Sequence, residues 1–234
     1  RARARHRAQR LEQVRGLVTA RNNRYTLSDL VGRDRQGAAV VTLQGEADST
    51  DAGLALALAI RGTNVPLDDN LKLALSPQVQ QVWTDLRPQG RVNFLADVRR
   101  QFGQEKPAIR VEIQPQEKSV SVEPTFFPYR FEQVDGRAIV SDGRVDLSEL
   151  RGVHARSMFT ANGVWQAAPN GGWQLDLTGA NADRLAFDTD LLRAVPPGVQ
   201  KVIDRIRPTG NFNSRNRAAR LSDVRKTCPP PSPM

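Results

Sequence analysis

Cysteine is almost missing from this chain of 234 residues: the single one is Cys228, near the C-terminal end. That excludes an internal disulfide framework and any multi-cysteine metal site, and it leaves the redox compartment open. Histidine is nearly as scarce, with His6 in a basic terminus and His154 far from it, so no histidine pair is available for metal or acid–base chemistry. Aromatic residues make up only 6% of the chain and mean hydropathy is −0.49. No apolar run approaches the ~18 residues a membrane helix needs. No charged n-region, apolar h-region and small-residue cleavage site opens the chain, so the expectation is a segment without a signal peptide of its own.

Catalytic signatures are also wanting. Ala168-Pro169-Asn170-Gly171-Gly172 is a turn without the Lys and Ser/Thr of a phosphate loop, and Gly152 and Gly163 lie too far apart for a dinucleotide fingerprint. Asp176, Asp183, Asp188 and Asp190 form the densest acidic stretch, but their spacing fits no EF-hand loop, and a solvated face is the better reading. At the position matching His154, the first half of the chain has Asp34. The expectation is a non-enzyme with no catalytic, metal or cofactor residues. The net charge of +9 is concentrated: Arg1, Arg3, Arg5, Arg7 and Arg10 supply five of the nine charges. Elsewhere basic and acidic residues interleave, as on solvated strand faces, so no nucleic-acid partner is expected.

What the chain does have is an internal echo about 120 positions apart. Gln13-Val14-Arg15-Gly16 returns as Gln133-Val134-Asp135-Gly136, and Leu27-Ser28-Asp29-Leu30 as Leu147-Ser148-Glu149-Leu150. After small gaps, Gly45 matches Gly163, Gly62 matches Gly179 and Asn64 matches Asn181. The register then returns, with Pro77, Val79, Gln80 and Val82 matching Pro197, Val199, Gln200 and Val202. Leu86-Arg87-Pro88 matches Ile206-Arg207-Pro208, and Leu95–Arg100 is echoed by Leu221–Lys226. This is a duplicated unit, longer than the ~20–50 residues of ordinary solenoid repeats. The domains read as 8–128, an incomplete second unit at 129–226, and a disordered Pro-rich tail at 227–234. Both ends read as cut from a longer array; the alternative is a complete two-repeat protein with frayed edges.

Each unit reads mostly as strands, about eight of them. Leu54, Leu56, Leu58 and Ile60 alternate with smaller or polar residues, as do Trp173, Leu175 and Leu177. Ile109, Val111 and Ile113, then Val120 and Val122, and Val145 and Leu147 follow the same period of two, which puts apolar side chains on one face of a sheet. Asn22-Asn23, Asp142-Gly143 and Gly171-Gly172 mark hairpins. One segment per unit departs from this. Val79, Val82, Trp83 and Leu86 lie at helical spacing behind Ser76-Pro77, and Val199, Val202, Ile203 and Ile206 copy them. Helices are therefore expected at about 77–87 and 197–207, their stripes in the core, with 69–75 and 189–195 as short helical turns before them. Phe126, Phe127 and Tyr129 form the one aromatic cluster, expected at the seam between units, with a groove wall or lipid gate as the alternative. The fold class is mainly β: tandem antiparallel meander units forming an elongated, curved, groove-like sheet with one short amphipathic helix per unit.

The pattern Gly136-Arg-Ala-Ile-Val-Ser-Asp-Gly143-Arg-Val-Asp-Leu-Ser-Glu-Leu150, followed by a strand closing on Asn162-Gly163, resembles the repeated meanders of the AsmA-like and TamB-like proteins of the double-membrane bacterial envelope. The likeness covers roughly residues 8–226. It implies a periplasmic segment of a larger protein, anchored at the inner membrane through regions outside this chain. It also implies that the aliphatic residues above, with Trp173, line a groove that conducts phospholipid or another acyl-chain ligand, or assists outer-membrane biogenesis. Two readings stand beside this one: a structural or adhesive β-repeat spacer with no ligand, and, more weakly, an anionic-surface binder working through the arginine-rich terminus.

Overall fold

A computed structural model describes residues 12–51, 53–75, 77–167, 172–206 and 210–223. The expectations for the arginine-rich terminus, the Ser76 cap, the Gly171-Gly172 hairpin and the tail fall outside these residues. The chain is mainly β, and its elements run β1 (Glu12–Arg21), β2 (Arg24–Arg33), β3 (Val40–Thr50), β4 (Gly53–Pro66), α1 (Asp69–Ala74), α2 (Pro77–Leu86), β5 (Arg91–Arg100), β6 (Ala108–Pro115) and β7 (Val120–Val122). Then come β8 (Phe131–Ser141), β9 (Arg144–His154), β10 (Ser157–Ala167), β11 (Trp173–Ala186), α3 (Thr189–Ala194), α4 (Pro197–Ile206) and β12 (Asn211–Asp223). The order from β1 to β5 thus recurs from β8 to β12.

All strands but one join a single antiparallel sheet in the order β1-β2-β3-β4-β5-β6-β8-β9-β10-β11-β12, with β7 pairing β8 to the side. Each strand therefore lies beside its sequence neighbour, as hairpin signals at Asn22-Asn23 and Asp142-Gly143 require. Asn22, Asn23, Asp142 and Gly143 all have positive φ, between 47° and 76°, which their side chains tolerate in tight turns. The strands are longer and fewer than expected. An alternation that looked like several short strands is carried by single strands such as β4 and β11, each of 14 residues, because bulges let one strand continue through a break in the pattern.

The helices fall where the apolar spacing put them, and α1 and α3 add a second helix to each series. Asp68 caps α1 by accepting from Leu71 N at 2.9 Å, and Asp188 caps α3 by accepting from Leu191 N at 2.8 Å. Gln80 and Gln200 donate from their side chains to Leu75 O and Val195 O, both at 2.9 Å, fastening each second helix to the first. Asn93 Oδ1 accepts from Asn64 N, and Asn213 Oδ1 from Arg184 N, again both at 2.9 Å.

These paired hydrogen bonds correct the sequence register. Asn64 and Arg184 share a φ of 56° and the same partner geometry, so Asn64 corresponds to Arg184, not Asn181. Gly62 lies opposite Phe94 and Ala182 lies opposite Ser214, so Gly62 corresponds to Ala182, not Gly179. Gly179 has φ +59° and sits where β10 and β11 slip register between Thr160 and Asn162. It is a bulge residue, and its identity with Gly62 is coincidental. Matching glycines by type misled because a bulge and a close ring contact both favour glycine, for different reasons.

Candidate functional site

The strand registers assemble one continuous apolar stripe across the sheet. Leu30 lies opposite Leu43, Leu43 opposite Ile60, Ile60 opposite Ala96 and Ala96 opposite Val111. The line continues through Val140, Val145, Trp165, Leu175 and Leu221. Every position from β2 to β12 on this line is apolar. A second row, two residues along each strand, runs Val41, Gly62, Phe94, Ile113, Ala138, Leu147, Gly163 and Leu177. A shorter third row joins Leu27, Gly45, Leu58, Val98 and Ile109. Because side chains alternate between faces, these rows share a face.

The opposite face is polar at matching positions. Thr42, Arg61, Leu95, Glu112, Ile139, Asp146, Val164, Asp176 and Arg220 face one another in turn, mixing charge with isolated apolar residues. Glu112 pairs with Arg137 at 3.1 Å, Arg144 with Asp146 at 2.7 Å and Arg220 with Asp176 at 2.6 Å; Arg24 also bonds Glu46. Hydrogen bonds from Arg220 and Gln174 hold the Asp176 carboxyl below its usual range, and Arg144 does the same for Asp146. Two shallow concavities of about 420 and 410 Å³ open among Gln114, Asp135, Arg137, Glu149, Arg151, Asn162 and Asn181. Their linings are mainly polar.

Among the described residues the apolar face is covered in part by α3 and residues 116–130: Leu191, Ala194, Phe127 and Tyr129 pack with Ala182, Leu185 and Phe159, and Phe126 lies against Trp173. Leu54, Leu56, Leu58, Ile60, Val111, Ile113, Val145, Leu147 and Leu177 are half-buried, Leu175 and Trp173 are buried, and Ile109 is 47% exposed. Val120 and Val122 do not join the rows: they lie in β7, off the main path, with Val120 buried.

Residues 116–130 form a splint between the two series. On one side the splint is tied to α2 and the strand after it. Glu123 N donates to Leu86 O at 2.9 Å, Thr125 N to Asp85 O at 2.7 Å, and Gln89 and Ser121 exchange bonds at 2.9 and 3.0 Å. On the other side it supplies aromatic rings. Phe126, 39% exposed, sits 4.9 Å from Trp173. Tyr129, 1% exposed, lies 5.5–5.7 Å from Phe127, Phe131 and Phe159 and stacks on His154 at 3.9 Å. Ala182, Leu185, Leu191 and Ala194 complete this core.

No local pattern marks the polar neighbours of Tyr129, since they come from separate stretches of the chain. His154 Nδ1 is 2.7 Å from Arg130 O and must carry the proton there, as a carbonyl only accepts; Nε2 faces Asp190 at 3.6 Å and Asp188 at 3.8 Å. The Tyr129 hydroxyl is buried without a hydrogen-bonded partner. Burial, reinforced by Asp188, raises its pKa to about 12. Ser157 lies close enough to lower that value somewhat, while its own hydroxyl donates to Arg184 O at 3.1 Å. The acidic stretch is dispersed: Asp176 pairs with Arg220, Asp188 caps α3, Asp190 faces His154, and Asp183 is exposed. No group of three metal-ligating side chains converges among the described residues.

No helix among the described residues is long and apolar enough to cross a membrane. Comparisons with protein-family models, with curated proteins and with solved structures found no significant match.

Proposed function

We propose that this chain is a non-catalytic segment of a β-repeat protein whose apolar sheet face forms a groove for phospholipid or other acyl chains, as in the AsmA-like and TamB-like proteins it resembles. On this reading the two series are duplicated units, and the protein works in the periplasm, reaching membranes through regions outside this chain. The observation that carries it is the apolar row running without a polar break from Leu30 in β2 to Leu221 in β12. Extended apolar surface is costly to leave in water and marks an interaction site. A row crossing successive strands from β2 to β12 suits a linear, flexible apolar ligand better than a compact one.

Native mass spectrometry with lipid extraction tests this on the purified chain beside Leu56→Asp and Ile60→Asp. Phospholipid that co-purifies with the parent chain and is lost from folded variants supports the groove. A lipid-free parent chain in contact with vesicles of phosphatidylethanolamine and phosphatidylglycerol would overturn it. The second reading, a ligand-free spacer, draws on Phe126: its ring lies against Trp173, so protein itself can cover this face. That reading predicts that parent and variants alike show only the mass of their own bare polypeptide.

A further inference from the structure

The two helical pairs are alike in sequence and internal bonding but not in their surroundings. In α2, Val79, Val82 and Leu86 are half-buried, and the Leu86 and Asp85 carbonyls accept bonds from the splint. In α4, the equivalent Val199, Val202 and Ile206 are 45%, 55% and 68% exposed. The glycine ahead of the following strand repeats the contrast. Gly90 has φ +113° and a Cβ there would overlap the Ser119 carbonyl, whereas Gly210 has φ +90° and would meet nothing within 4 Å. The strands differ too: β5 is paired on both edges, by β4 and β6, while β12 is paired by β11 alone among the described residues. Three features that receive residues 108–128 in the first series are therefore present in the second and have no such segment against them among the described residues.

We infer that the α4 face, Gly210 and the free edge of β12 together form a docking surface for an extended segment of the kind seen at residues 108–128. The partner is a β-strand with alternating apolar residues, followed by a strap whose backbone amides reach the last carbonyls of α4. Strand addition supplies main-chain hydrogen bonds, and the helix stripe supplies the apolar contact. The chain's own end does not meet this description. Pro229, Pro230, Pro231 and Pro233 have no N–H with which to copy the bonds of Glu123 and Thr125. A second copy of the chain has its 108–128 segment already engaged. The occupant is thus the corresponding segment of a further β unit. This inference rests on the internal comparison alone and stands whether or not the apolar face carries lipid.

A synthetic peptide of residues 106–130, added to the whole chain, provides the test. The expected result is one peptide per chain, with slowed amide exchange in residues 211–223. Val202→Asp and Ile206→Asp, both at exposed positions, should weaken binding about tenfold or more without changing the circular dichroism of the free chain. Replacing the peptide residues equivalent to Glu123 and Thr125 by proline should weaken it as well. Absence of binding, protection at β1 instead of β12, or binding indifferent to the α4 variants would each overturn the inference. So would peptide-free dimerisation abolished by Ile206→Asp, which would make a second copy the occupant.

Discussion

Gly62 and Phe94 face each other across β4 and β5, and a Cβ at Gly62 would lie 2.6 Å from Phe94 Cδ1. The equivalent pair across β11 and β12 is Ala182 and Ser214: a larger residue on one strand meets a smaller one on the other. This exchange predicts strong coupling. In Gly62→Ala the added methyl displaces the Phe94 ring, and overpacking of this kind costs about 1–3 kcal/mol. Gly62 has no positive φ, so alanine adopts its backbone and recovers about 0.4–1 kcal/mol through the unfolded chain. The net loss is then ~1–2 kcal/mol. Phe94→Ser removes a half-buried ring, costing ~2 kcal/mol, below the ~3–5 kcal/mol of a fully buried one. With the ring gone the methyl at position 62 has room, so the double variant should be no less stable than Phe94→Ser alone. Urea unfolding of the four proteins, read as a double-mutant cycle, gives the coupling directly. Costs that add to within ~0.5 kcal/mol would show that the ring and glycine do not fill one space, and would refute the equivalence drawn between the two strand pairs.

Tyr129→Phe should leave stability near neutral pH unchanged or slightly improved, because it deletes a buried hydroxyl with no partner. The Tyr129 pKa is raised from 10.0 to about 12; the folded chain thus holds this proton more tightly than the unfolded one, and stability, level below 10, is lost as pH climbs to about 12. Urea midpoints measured across that window should fall in the parent and fall less in Tyr129→Phe. Asp68→Ala and Asp188→Ala should each cost about 0.5–2 kcal/mol through loss of the helix cap; urea unfolding should show a larger loss for Asp188, whose helix carries the buried Leu191 and Ala194. Arg220→Gln should raise the Asp176 carboxyl toward 3.8, visible in a carbon-detected NMR titration as a midpoint moving to higher pH.

The parts of the fold fixed by local chemistry were legible in the sequence. Turn residues at Asn22-Asn23 and Asp142-Gly143 and the apolar spacing of α2 and α4 each act through neighbours in the chain, and each placed its element. The alternation of Leu54 to Ile60, and of Trp173 to Leu177, placed those side chains on a common face, since β4 and β11 keep one register there. Bulges hid the rest. Leu27 and Leu30 both lie on apolar rows although they are three positions apart, because β2 and β3 slip between them; simple alternation would send them to opposite faces. The α4 stripe, expected in the core, is exposed at Val199, Val202 and Ile206, because helical spacing reports which face is apolar, not what covers it. The neighbours of His154 were invisible for a similar reason: Arg130, Asp188 and Asp190 reach it only once the splint and the β11–α3 junction are in place.

The strand order has a mechanical consequence. With successive strands paired almost throughout, tension between the chain ends pulls across the ladder of hydrogen bonds and not along it. Load then falls on the outermost pair first, and each broken pair passes it to the next. Such a sheet should yield in a series of small extensions from its edges, in the manner of a peeled strip, and not in one rupture. Single-molecule stretching would show a low, stepped force trace, with an interruption where the splint ties α2 to the second series.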